Sequence, residues 1–175
     1  RDPVLIQLAV TVFLFWTYML GFMIIKTSYL VQVGFSLEST QLPEIIANIA
    51  QFFFSSAMIK ALPRIGACKA CTLGHGLYSL AFFLWGAVTV VFGHVGPYLA
   101  YPTQAAAFAL LIPSWQTIIS QRVEEHNQSK CQAAISAVGT VGVIVGVPMY
   151  TKLLFRATAQ GMERAIPATV SMCLS

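Results

Sequence analysis

The 175-residue chain has Asp, Glu, Lys or Arg at only 9% of its positions, against 57% hydrophobic residues and a mean hydropathy of +0.75. Soluble domains are usually about 25% charged, so this chain lacks the polar shell that a soluble core of its size needs, and lipid is the solvent its surface suits. Its net charge of +4 comes from scattered basic residues with no dense patch, which excludes a nucleic-acid partner.

The first predicted element, residues 4–25, is an uncharged apolar run. At about 1.5 Å per residue it reaches roughly 33 Å, enough to cross the hydrocarbon of a bilayer. It lacks the alternation of a barrel strand, and only helices and closed barrels satisfy their backbone in lipid. Lys26 closes the run, although residues 27–33 could extend the helix; its ammonium is expected to snorkel to the interface, the alternative being a functional charge inside the membrane. Residues 34–41 form a short connection with Ser36, Ser39 and Thr40 as capping types.

A second span is predicted over residues 42–62. Pro43 suits a first turn, and Glu44 suits the positive end of the helix dipole as an interfacial acid. A basic turn follows, with Arg64, Gly66 and Lys69 as its marked residues. The third span covers residues 70–93, residues 94–97 turn the chain, and the fourth span covers residues 98–119 with Pro102 and Pro113 inside it. Residues 120–130 are the most polar stretch and are expected in water or headgroups. The fifth span is placed at residues 132–155. A polar link precedes residues 165–175, which read as the start of a truncated sixth span, too short to cross a bilayer. With no Met at the start, both ends read as cut from a longer polypeptide.

The prediction is an all-α fold, a polytopic transmembrane helical bundle forming one membrane domain, and a multi-pass integral membrane protein. Orientation follows from the basic residues: Lys60, Arg64 and Lys69 cluster around one short turn, which places that turn in the cytosol. Asn127-Gln128-Ser129 matches a glycosylation acceptor but falls on the same side and is expected to stay unmodified.

Polar residues inside the spans cannot face lipid cheaply, since an unpaired polar group there costs several kcal/mol. Gln7, Thr11 and Tyr18 in the first span, Asn48 and Gln51 in the second, and Gln104 and Gln116 in the fourth are therefore candidate substrate-cavity residues. The alternative for each is a static bond between helices. Gly139, Gly142, Gly146 and Pro148 in the fifth span are candidates for helix packing or gating, because small residues let backbones approach closely. No carboxylate lies at mid-membrane, so no proton-coupling acid is visible.

Cys68, Cys71, Cys131 and Cys173 show no disulfide framework and read as free thiols. Cys71 and His75 share a helical face, but a closed zinc site needs about four ligands and no second cluster is present. No nucleophile–base pair or phosphate loop appears. No metal, no cofactor and no enzymatic activity are expected.

One stretch is more specific. Pro113, Gln116, Ser120, Val123 and Glu125, continued by Gln128 and Gln132, resemble the end of the tenth helix and the following loop of tetracycline-resistance-type transporters of the major facilitator superfamily. Gly34-Phe35-Ser36-Leu37-Glu38-Ser39 resembles the loop between helices seven and eight of hippocampus-abundant-transcript-like members, and Arg64-Ile65-Gly66 with Lys69 resembles the basic turn after helix eight. Ser129 and Ala133 depart from the family's glycines, Pro148 stands one residue late, and Ala67 and Cys68 replace polar residues.

The resemblance implies that this chain is the second six-helix bundle of such a transporter, with its last helix truncated. Its partners would be the bilayer, an N-terminal six-helix bundle of the same polypeptide, and a small-molecule substrate. The implied function is transport of a small solute by alternating access, with proton-coupled efflux as one form of it. Spans one, two, four and five would then face the cavity and span three would lie outermost. The alternative is a non-transporting membrane scaffold or assembly protein of five to six helices.

Overall fold

A computed structural model describes residues 2–32 and 34–154. The polar link and the truncated sixth span expected over residues 165–175 lie outside the described residues. Among those described, the regular structure is helical and contains no strand. The elements are α1 (Pro3–Gln32), α2 (Gln41–Ile65), α3 (Ala67–Phe83), a π-helical segment (Leu84–Val88), α4 (Thr89–Phe92), α5 (Val95–Arg122), α6 (Glu125–Pro148) and a second π-helical segment (Met149–Leu154). Among the described residues three stretches, Pro3–Val31, Ala67–Val88 and Glu125–Thr151, are long and apolar enough to cross a membrane by length and composition.

The helices begin and end where local chemistry allows. Asp2 accepts the Val4 N–H at 2.8 Å and so caps the start of α1. The connection expected over residues 63–69 shrinks to Gly66, which adopts φ 86° and ψ 143°, the region that favours glycine. Its N–H bonds the Leu62 carbonyl, and α3 starts at the next residue. Arg64 and Lys69 flank this turn and are exposed.

The polar stretch at residues 120–130 is mostly helix rather than loop. α5 continues to Arg122, and α6 starts at Glu125. The Gln128 amide closes this tight turn by donating to the Ser120 carbonyl at 3.2 Å and the Val123 carbonyl at 3.1 Å. These bonds satisfy carbonyls that a helix end otherwise leaves unpaired. Asp2 also pairs with Arg122 at 3.6 Å, tying the start of α1 to the end of α5.

α1 packs along α6, and α5 packs along both α2 and α3. The α1–α6 contact is backbone against backbone. A Cβ on Gly142 would come within 2.5 Å of the Phe13 carbonyl oxygen, and one on Gly146 would overlap the Thr17 carbonyl. One on Gly139 would lie 2.7 Å from Trp16 Cδ1. α6 ends at Pro148, and the chain continues in the wider π geometry.

The space between α1 and α3 is filled with rings. Phe15, fully buried, has Tyr18, Tyr78, Phe108 and Trp115 around it, with ring centroids 4.9–5.6 Å away. Phe22, Phe82 and Trp85 continue the layer. Edge-to-face packing dominates, the arrangement that the ring quadrupoles favour. Where the π segment disturbs the ladder of carbonyl acceptors, the Tyr29 hydroxyl donates to the Trp85 carbonyl at 2.8 Å.

Hydroxyls within the helices mostly return to their own helix. Thr17, Ser56, Thr72, Thr103, Ser114, Thr117, Thr140 and Thr151 each donate to the carbonyl four residues earlier. This is how a short polar side chain is satisfied where water is absent.

Candidate functional site

The amides do not behave like the hydroxyls. Asn48 and Gln51 lie one turn apart on α2, and Gln104 stands opposite them on α5. Together with Lys26, Glu44 and Tyr101 they line a cleft of about 80 Å³ between α1, α2 and α5, with Met23 and Phe108 as apolar walls. Asn48 and Gln51 are exposed, whereas Gln104 is buried and donates its amide N–H to the Tyr78 hydroxyl at 2.9 Å.

The charges in this cleft correct the sequence reading. Lys26 does not snorkel away: its side chain is 8% exposed and its Nζ lies 3.1 Å from Glu44 Oε1. The same Nζ lies 5.2 Å from the centre of the Tyr101 ring, within cation–π range. Glu44, expected as an interfacial acid at a helix start, stands in the first turn of α2 and is the counter-ion of Lys26. The reason is topological. Lys26 stands near the end of α1 and Glu44 in the first turn of α2, so the short connection between the two helices brings opposite charges together. A buried ammonium without an anion is costly, and Glu44 removes that cost. The Glu44 side chain is 46% exposed, so the pair is asymmetric: a buried cation held by a half-solvated anion.

The other predicted cavity residues are dispersed. Gln116 lines a second cleft of about 200 Å³ with Trp16, Gln132 and Ser136. Gln7 is exposed and Thr11 half-buried, and neither lines these two clefts. Tyr18 is buried in the ring layer, and its hydroxyl has no hydrogen-bond partner. His75 packs against Phe15 and Trp115 rather than beside an acid or a metal-ligand cluster. A larger groove, about 630 Å³, runs between the first half of α1 and the start of α6, but apart from Asp2 and Cys131 its walls are hydrocarbon.

Sequence reasoning missed Tyr101 and the Lys26–Glu44 pair. The signal was available: two opposite charges flank one short connection, and α5 starts on the same side of the bundle. Fold and site together define a helical bundle with apolar outer faces and a polar, half-open cleft in which a buried ammonium pairs with a half-exposed carboxylate. No family model, curated protein or solved structure matches the chain.

Proposed function

We propose that this chain is one bundle of a major facilitator superfamily transporter, moving a small solute by alternating access against a second six-helix bundle. The supporting observation is the distribution of exposed amides. Asn48, Gln51, Gln116 and Gln132 are exposed, and each lines a cleft between helices. Lipid does not satisfy such groups, so these two clefts face protein or water. The outward side chains of Ile45, Ile49, Phe52 and Phe53 suit lipid or a packed neighbour. An amphipathic bundle of this kind is what two rocking halves need around a central aqueous path. Efflux coupled to protons is one form this transport takes.

The test is uptake and efflux by the full-length polypeptide in liposomes, screened over solute classes. Asn48→Ala and Gln51→Ala are expected to lower transport of whichever solute is carried. The bundle alone is expected to carry nothing. Unchanged transport in both variants, or transport by the bundle alone, overturns the reading.

A further inference from the structure

We infer that Lys26 anchors the carboxylate of an acidic solute, and that this carboxylate takes the place of Glu44 on the ammonium. The inference deepens the transporter reading above and rests on it for the purpose of binding. The asymmetry of the pair carries it. Lys26 is 8% exposed and Glu44 is 46% exposed. The cation is fixed by burial and requires an anion at all times. Its present anion is half in water, where the carboxylate keeps much of its hydration and exchanges readily for another anion. Glu44 therefore swings out to solvent at small cost when another carboxylate arrives, and Lys26 is never left unpaired.

The rest of the cleft fits an acidic head group. The Tyr101 ring stays on the ammonium in either state. The Gln104 amide nitrogen is committed to Tyr78, which leaves Asn48 and Gln51, exposed on the same wall, to donate to the oxygen that Lys26 does not hold. The volume of about 80 Å³ is well below the roughly 300–1,000 Å³ that encloses a drug-sized ligand. It seats a head group and leaves the body of the solute against Met23 and Phe108 or the facing bundle. A cationic solute gains little here, because Glu44 already has a cation 3.1 Å away.

The experiment uses the full-length protein in detergent and three probes of one shape and different charge: benzoate, benzamide and benzylamine. Binding is read by calorimetry and by the ligand-dependent gain in Tm. Benzoate is expected to bind about tenfold more tightly than benzamide or benzylamine. Glu44→Gln removes the competing carboxylate and tightens benzoate by about three- to tenfold while leaving benzamide unchanged. Lys26→Met abolishes the preference, and Lys26→Arg, which keeps the charge should the methionine variant fail to fold, retains it.

Equal binding of benzoate and benzamide by the unmodified protein overturns the inference, as does benzoate affinity that Glu44→Gln leaves unchanged. The two readings fail separately. Selective benzoate binding, with no solute crossing the membrane in proteoliposomes, supports the anion site and removes the transporter. Transport of neutral or cationic solutes without selective benzoate binding removes the anion site and leaves the transporter.

Discussion

Replacing Gly146 by alanine tests the close packing of α1 on α6 directly. In a free helix the change is favourable by about 0.8–1.0 kcal/mol, because alanine loses less backbone freedom. Here the new methyl group would overlap the Thr17 carbonyl oxygen and lie 2.8 Å from the Thr17 Cα. Relieving the overlap with the oxygen and restoring an ordinary separation of about 3.5 Å requires the two helices to part by more than about 1 Å. Overpacking costs about 1–3 kcal/mol, and the obstructing atoms are main chain, which no rotamer change moves aside. The upper half of that range applies, so the net loss is about 1–2 kcal/mol after the helix-propensity gain is subtracted. The control is Gly76→Ala on α3, where nothing lies within 4 Å of the added carbon and the expected outcome is a gain of up to about 1 kcal/mol. Both variants are measured by unfolding in mixed detergent micelles. If Gly146→Ala is as stable as Gly76→Ala, the backbone contact between α1 and α6 is wrong.

Three further outcomes are expected. Tyr29→Phe removes the donor to the Trp85 carbonyl and lowers stability by about 0.5–1.5 kcal/mol; unchanged stability in the same unfolding assay counts against the bond. Lys26→Met and Glu44→Gln each destabilise by about 1–3 kcal/mol, less than the 3–5 kcal/mol of a fully buried pair because Glu44 stays half hydrated; their double variant loses less than the sum, and strictly additive losses exclude the pairing. With Cys71, Cys131 and Cys173 replaced by serine, the exposed Cys68 beside the basic turn reacts with a membrane-impermeant maleimide only when right-side-out vesicles are opened; labelling in intact vesicles reverses the proposed orientation.

Much of the helical layout was legible because lipid compatibility is a local property. An uncharged run of sufficient length must satisfy its own peptide groups, so residues 4–25 specify a helix without reference to any neighbour. The turn at Gly66 was legible for a similar reason: basic residues and a glycine mark a tight return between apolar runs. The helical nature of residues 125–130 was not, since their polarity is equally compatible with loop. What decides it is Gln128 reaching back to the carbonyls at the end of α5.

The site divides along the same line. Composition marked Asn48, Gln51, Gln104 and Gln116 as groups in need of partners, because an amide in an apolar run is conspicuous. It did not separate Gln7, which is exposed away from the clefts, from Asn48, which lines one. Helical phase relative to neighbours decides that, and phase depends on which helices pack together. The Lys26–Glu44–Tyr101 arrangement joins three helices and residues up to 75 positions apart. The chain by itself determined that these segments are helices and that their amides need partners, since both follow from the cost of unpaired polar groups in hydrocarbon. Only the tertiary structure decided which cation meets which anion, because a charge pair acts through a few ångströms of space and not through the sequence between.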